Sequence, residues 1–273
     1  MTGWLIGGAS VRGAAHARSG RPNQDALAWV PRTGAGSRVV GAVSDGHGAA
    51  LHFRSEIGAA LAVDVAAELL AWHLDDQAGD EGEGRLADEI LRLWRARVDA
   101  HWAAHPEAGH EAGLRRGSPY LPYGATLLVL GATDEQLVML QIGDGDLLTG
   151  SPDGIERPLR ADAGLVGEQT YSLCLDDAQR RFRLASLWRA EDRPLPDFAL
   201  LASDGVSKSF RDDLAFDAAT RELRRLALQD WDRVLVALPA WLDDISEHGS
   251  GDDSTVCIAV RRPNPNPIDE EIE

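Results

Sequence analysis

The stretch Val39-Val40-Gly41-Ala42-Val43-Ser44-Asp45-Gly46-His47-Gly48 is a short apolar run that stops at an acid set between small residues. Val39, Val40, Ala42 and Val43 suit a strand covered on both faces, and Gly46 and Gly48 let the backbone turn sharply and approach a ligand closely. The run therefore predicts a buried strand that delivers Asp45 to a turn. The same device recurs far downstream, where Phe198-Ala199-Leu200-Leu201-Ala202-Ser203 runs into Asp204-Gly205.

Working outward from the first stretch, Trp4 to Val11 reads as a strand and is followed by a loop carrying His16, Arg18, Gly20, Arg21 and Pro22. Asn23-Gln24-Asp25 then opens a second strand, Ala26 to Val30, and a glycine-containing turn leads into Arg38 to Ser44. Beyond Gly48 the period changes: Ile57, Leu61, Val65, Leu69 and Trp72 recur at helical spacing, as do Leu86, Ile90, Trp94, Val98 and Trp102 after a polar break. Two long helices packed as an antiparallel pair are expected, with the tryptophans in their buried stripe.

His105 to Pro122 reads as loop. Ala125 to Leu130, Leu137 to Ile142 and Leu147 to Thr149 form an antiparallel meander whose second bend, Gly143-Asp144-Gly145-Asp146, presents two acids. Between Ile155 and Pro196 the pattern is weak, with Thr170 to Leu175 and Phe182 to Trp188 as candidate strands. Leu214 to Leu228 and Trp231 to Ile245 have helical periodicity, and Thr255 to Val260 is a final strand entered from Asp252-Asp253. The tail from Pro263, rich in proline and acids, is expected to be disordered.

A chain of 273 residues without a Gly/Ser- or Pro-rich linker is read as one domain, residues 1–262, followed by the acidic tail, residues 263–273. The formal net charge of -17 opposes nucleic acid or an anionic membrane as partner. Two cysteines, Cys174 and Cys257, lack metal-ligand spacing and read as buried thiols of a reducing compartment. The start lacks a basic leader, and no apolar run reads as a membrane span, so a soluble cytoplasmic protein is expected.

Asp25, Asp45, Asp204 and Asp252 each stand at the edge of a predicted strand beside a small or flexible residue. Carboxylates gathered at one place repel one another unless protonated or bridged by a cation, and hard oxygen donors suit Mg²⁺ or Mn²⁺. A pair of such ions about 3.5–4 Å apart can orient and acidify a water for in-line attack on phosphorus. The chemistry indicated is phosphoester hydrolysis. A single Asp-Gly is commonly just a turn, so the argument rests on the ordered set.

That set is Asn23-Gln24-Asp25, Ser44-Asp45-Gly46-His47-Gly48, Gly124-Ala125-Thr126, Ile142-Gly143-Asp144, Ala202-Ser203-Asp204-Gly205 and Asp252-Asp253-Ser254-Thr255-Val256. From about Gly7 to Val260 it resembles the PPM-type, or type 2C, metal-dependent Ser/Thr protein phosphatases, in their bacterial branch. The resemblance implies an α+β fold: a four-layer α-β-β-α sandwich of two antiparallel sheets flanked by helix pairs, with a dinuclear Mg²⁺ or Mn²⁺ site at one end.

By position, Asp45 matches the acid that bridges the metals, the Gly46 carbonyl a further ligand, Asp204 and Asp252 the remaining ligands of one metal, and Asp25 the acid of the first motif. His47 matches the proposed general acid for the leaving alkoxide, a task suited to a group titrating near neutrality. Asp144 matches an acid that helps hold a third, weaker metal in many bacterial members; a turn acid between glycines is the alternative. Asp146, where the family has an arginine, either adds a ligand or faces solvent. Gln24 replaces a glutamate, and Gly20 stands where the family carries a phosphate-binding arginine. Arg21 is one step away and able to take its place, with Arg18 and His16 as substitutes.

The function expected is hydrolysis of phosphoserine and phosphothreonine in a protein substrate, with a cognate Ser/Thr kinase as counterpart and a monomeric enzyme. The alternative, carried by Gln24 and the displaced arginine, is a pseudophosphatase that binds a partner.

Overall fold

The computed structural model describes residues 3–76, 80–107, 109–111, 117–159, 170–190 and 194–262. The first strand, β1 (Gly3–Val11), is followed by a short helix, α1 (Ala14–Ser19), then β2 (Ala26–Val30), β3 (Ala35–Gly36) and β4 (Val39–Ser44). Two long helices follow, α2 (Ser55–Asp76) and α3 (Asp80–Ala104), and then β5 (Leu127–Ala132), β6 (Gln136–Ile142), β7 (Asp146–Ser151), β8 (Gly154–Glu156), β9 (Arg183–Trp188) and β10 (Phe198–Ala202). A single helical turn, α4 (Asp204–Ser207), precedes α5 (Asp213–Gln229), α6 (Trp231–His248) and β11 (Ser254–Arg262).

The strands form two antiparallel sheets, ordered β3-β1-β11-β10-β7-β8 and β2-β4-β5-β6-β9. Period-two alternation assigns neighbouring side chains of β4 to different layers: Val39 and Val43 enter the core between the sheets, whereas Val40 and Ala42 pack under α2 and α3. The core between the sheets also holds Trp4, Leu128, Met139, Leu201 and Cys257. A third apolar layer joins Leu148, Phe198, Leu200 and Ile258 of the other sheet to Phe216, Leu238 and Leu242 of α5 and α6. Three cores between four layers make the expected sandwich of sheets flanked by helix pairs. Both cysteines are buried and unbridged, and burial pushes the Cys257 thiol up to about 12.

The structure departs from the expected elements in several places. Ala14–Ser19 is helical rather than loop, and Gly20 ends that helix in the left-handed region at φ 74°, a conformation that glycine adopts without strain. Thr170 to Leu175 forms no strand; it crosses the mouth of the meander as turns, and only Arg183–Trp188 pairs, along β6. Trp72 is 59 % exposed while Trp94 is fully buried, so only the latter anchors the helix pair. Ser55–Leu74 is long and apolar enough to cross a membrane by composition. Here that apolarity is explained by packing, since α2 lies between β2, β4 and β5 on one side and α3 on the other. The tail from residue 263 and part of the excursion, residues 160–169, lie outside the described residues.

Helix α2 is locked to the chain entering β5. The Arg54 side chain donates to both Glu111 carboxylate oxygens at 2.9 and 2.7 Å and to the Tyr123 hydroxyl at 2.8 Å, with its guanidinium 4.4 Å from the centre of the Trp102 ring. At Gly58 the helix touches the Tyr123 backbone so closely that a Cβ would lie 2.0 Å from its carbonyl oxygen. Replacing a helical glycine by alanine ordinarily stabilises by about 1 kcal/mol. At this position we expect the opposite sign, a loss of about 1–3 kcal/mol for Gly58→Ala by urea denaturation; a gain in stability would show that α2 and the Tyr123 turn are not packed this way.

Candidate active site

Antiparallel pairing brings the four acids to one edge of the sandwich. Asp25 precedes β2 and Asp45 follows β4, and the register sets Ala26 opposite Ser44. Asp204 follows β10 and Asp252 precedes β11, with Ala202 opposite Val256. Face-to-face packing of the sheets then joins the two pairs: Asp45, Asp204 and Asp252 line one cleft, and Asp45 feels the charges of Asp25, Asp204 and Asp252.

Each acid is held by its own local scaffold. The Asp45 N–H donates to the Thr126 hydroxyl at 3.0 Å, its carbonyl accepts from the Thr126 N–H at 2.8 Å, and the Ser44 hydroxyl donates to the Thr126 carbonyl at 2.6 Å. Gly124-Ala125-Thr126 is therefore the clamp that aims Asp45. A Cβ on Gly124 would lie 2.4 Å from His52 Nδ1 and 2.9 Å from His47 Cδ2, so glycine is required for both imidazoles to pack there. Asp25 accepts from the Ser203 hydroxyl at 2.7 Å, which ties the β2 end to the β10 end. Gly205 lets α4 meet the β11 entry, since a Cβ there would lie 2.0 Å from the Asp253 carbonyl oxygen.

Asp252 and Asp253 divide the work between them. Asp253 accepts from the Gly13 N–H at 2.6 Å and the Gln24 N–H at 2.7 Å, and lies 2.9 Å from His16 Nδ1. Its carboxylate is thus committed to holding the N-terminal segment against β11. The Asp252 side chain is 46 % exposed, faces the cleft, and lies 3.5 Å from His16 Nε2. Possible ligand atoms of His16, Asp252 and Asp253 fall within 4.8 Å of one another, but the hydrogen bonds to Asp253 leave Asp252 as the open donor of that group.

The inner carboxylates are incompletely partnered. Among the described residues, Asp25 Oδ1 and Asp204 Oδ1 are buried with no hydrogen-bond partner. Burial, and secondarily the charges of Asp253 and Asp204, push Asp25 up to about 8. Burial and then Asp25 and Asp204 hold Asp45 well above the ordinary carboxylate range. An all-oxygen donor set with unsatisfied, mutually repelling acids fits hard divalent cations such as Mg²⁺ and Mn²⁺.

Asp45, Asp204 and Asp252 floor a cleft of about 570 Å³ whose rim carries His47, His52, Asp144 and Lys208. His47 is pushed down to about 4, first by burial and then by the neighbouring His52, whose ring centre is 4.8 Å away. Because a carbonyl can only accept, His52 Nδ1, 2.6 Å from the Leu121 oxygen, carries its proton there. A second cleft of about 630 Å³ adjoins across Gly48, Ala49 and His52 and is walled by Arg21, Gln24 and Arg54.

Of the residues proposed for phosphate, Arg21 is exposed on this wall and donates to the Gly48 carbonyl at 3.1 Å, whereas His16 is engaged by Asp252 and Asp253. The Gln24 amide donates to the Ser55 hydroxyl at 2.5 Å and the His47 carbonyl at 3.3 Å, so this neutral residue ties the turn after Asp45 to α2. Asp144 accepts from the Thr170 hydroxyl at 2.9 Å and reaches the cleft. Asp146 neither joins it nor faces open solvent: as the first residue of β7 it turns to Ser207 and Arg157.

Sequence reasoning missed His52 and Lys208, whose surroundings carry no motif. The one available signal was the four-residue spacing of Lys208 from Asp204 on a helical turn, which stacks the two side chains.

The acids make stability depend on pH in a definable window. A carboxyl whose pKa is raised on folding keeps its proton longer in the native state, so cation-free stability falls as pH rises from the unfolded value towards the folded one. Below about 6.5 the lowered His47 acts in the opposite direction, which leaves about pH 6.5–8 for Asp25 and Asp45 to act unopposed. In chelator the melting temperature should fall across that window, and Asp25→Asn should flatten the fall. Equal slopes for the two proteins in thermal melts would refute the raised carboxyl.

The family profile described as protein phosphatase 2C matches residues 12–243. No curated protein matches the chain significantly in sequence. Among solved structures, the Mycobacterium tuberculosis serine/threonine phosphatase PstP/Ppp is similar with a TM-score of 0.61 at 17 % identity, over 96 % of this chain and 100 % of that one. A structure of the PstP catalytic domain in complex with two manganese ions gives 0.60 at 17 % identity, over 96 % and 100 %. PppA, a regulatory component of the T6SS in Pseudomonas aeruginosa, gives 0.58 at 18 % identity, over 94 % and 97 %. With the profile spanning most of its length, the chain belongs to the protein phosphatase 2C family of metal-dependent Ser/Thr phosphatases.

Proposed function

We propose that this site hydrolyses phosphoserine and phosphothreonine in a protein substrate, with Asp25, Asp45, Asp204, Asp252 and the Gly46 carbonyl holding two divalent cations and Asp144 available to a weaker third. The observation that carries the reading is the convergence of Asp45, Asp204 and Asp252 on one cleft with Asp25 beside them, and with buried carboxylate oxygens of Asp25 and Asp204 unpartnered among the described residues. Once bound, Mg²⁺ or Mn²⁺ supplies charge neutralisation and an acidified water for in-line displacement at phosphorus.

The chain's own part is orientation and charge. Asp45 is fixed through both of its backbone polar groups by Thr126, which sets the carboxylate with little freedom to reorganise. Arg21, on the adjoining wall, is placed to bind phosphoryl oxygens through its guanidinium. His47 stands on the rim as a neutral imidazole at pH 7, so in this environment it serves the leaving oxygen as an N–H hydrogen-bond donor rather than as a standing imidazolium. The joined clefts suit an extended peptide better than a compact metabolite, and the net charge of -17 disfavours polyanionic nucleic acid.

A cognate Ser/Thr kinase, a monomeric state, a cytoplasmic location and a single catalytic domain over residues 1–262 complete the proposal. The test is turnover of a phosphothreonine peptide and of p-nitrophenyl phosphate with Mn²⁺, with Mg²⁺ and with chelator. Asp45→Ala and Asp204→Ala should each lower kcat by roughly 10³-fold or more, while Arg21→Ala should act mainly on KM for the peptide. Undiminished turnover in chelator or in Asp45→Ala would sink the assignment. A folded, cation-loaded protein with no turnover would turn the search towards a binding partner.

A further inference from the structure

Lys208 lies one helical turn beyond Asp204, and its backbone N–H donates to the Asp204 carbonyl at 2.8 Å. That geometry stacks the two side chains, and the Lys208 ammonium donates to Asp204 Oδ2. The Lys208 side chain is 55 % exposed but its partner is not: the Asp204 side chain is only 12 % exposed, and its other oxygen is buried without a partner among the described residues. The ammonium also feels Asp144 and Asp252, and all four side chains line the same cleft. Asp144 is held towards it by the Thr170 hydroxyl at 2.9 Å.

We propose that Lys208 is a built-in monovalent cation of the acidic cluster, which neutralises the Asp204–Asp144 side of the cleft and keeps a divalent ion from settling there. The inference rests on the phosphatase reading, because the cations it concerns are those of that site. A tethered ammonium competes without the translational entropy cost of capturing a free ion, so a divalent ion on Asp144 and Asp204 has both to displace it and to sit beside its charge. The consequence is that the pair of cations nearer Asp25 and Asp45 is retained while the third site is suppressed by the chain itself.

The experiment is Mn²⁺ titration of the full chain by calorimetry, with free Mn²⁺ followed in parallel by electron paramagnetic resonance, for wild type, Lys208→Gln, Lys208→Arg and the double variant Lys208→Gln/Asp144→Asn. Lys208→Gln should bind one further Mn²⁺, or tighten the weakest one by about tenfold or more. Lys208→Arg, which keeps the charge, should resemble wild type, and the double variant should lose the gain. Thermal melts supply a readout independent of binding: in chelator Lys208→Gln should melt several degrees below wild type, and saturating Mn²⁺ should close that gap.

Superimposable titrations of wild type and Lys208→Gln would overturn the proposal, as would a gain that survives removal of Asp144. Failure of the phosphatase reading looks different. In that case wild type takes up no Mn²⁺ sensitive to Asp45→Asn, whatever Lys208→Gln does.

Discussion

Mutual repulsion among Asp25, Asp45, Asp204 and Asp252 is the constraint around which this molecule is built. Burial and neighbouring charge both oppose ionisation of the inner pair, and the fold supplies too few donors to offset them. Such an arrangement lowers the stability of the cation-free protein, so it persists only because everything nearby over-determines it. The over-determination is visible in the scaffold: Thr126 grips Asp45 from both sides, Ser203 grips Asp25, and Asp253 pins the N-terminal segment. A cation is then recognised by relief of strain already stored in the charges. Its affinity and the instability of the empty site are two faces of one free energy.

The sandwich is what makes this affordable in geometry. Antiparallel register puts the end of one strand beside the start of the next, so β4 and β10 end where β2 and β11 begin. Two such pairs packed face to face give four acids from distant parts of the sequence, each on a rigid strand end rather than on a free loop. Glycine is needed where backbones cross close to these ends: Gly205 against the Asp253 carbonyl, and Gly124 beneath the two imidazoles. These are positions where a methyl group would move a functional side chain rather than merely crowd the core.

How much of this was legible in the sequence follows from what each signal depends on. Strands buried on both faces announce themselves as apolar runs, and Val39 to Ser44 and Phe198 to Ala202 were readable almost to the residue. The long helices were readable from their period. Helix α1 was not, because six residues without a buried side chain leave no periodic trace, and Gly20 looked like a loop residue when it is a helix terminator. Thr170 to Leu175 carried strand-like composition, yet that stretch takes the turn geometry that lets Ser172 donate to the Ala125 carbonyl at 3.1 Å. Trp72 followed the helical period but falls on the outer flank of α2, where the sheet and α3 have already filled the contact. The acids of the site were legible as an ordered set of strand ends; the state of their neighbours was not. Whether His47 is charged depends on burial and on His52, and neither is written in the motif.

Asp252 and Asp253 show why that last step needs coordinates. They are adjacent and chemically identical, and only position in the ordered set singles out Asp252 in the sequence. What separates them is the number of donors each meets. Asp253 is surrounded by two backbone N–H groups and an imidazole, so both of its oxygens are already engaged by the chain. Asp252 faces the cleft, and its Oδ1 accepts from the Asp253 N–H at 2.9 Å, which steers the carboxylate without saturating it. The same distinction separates Asp146, turned to Ser207 and Arg157, from Asp144, turned to the cleft across one glycine. In both pairs the structural acid fixes the backbone from which the functional acid is presented. Replacing the saturated member should therefore disturb cation binding through displacement of its neighbour, and the chemistry of the site extends one residue beyond the groups that face the cleft.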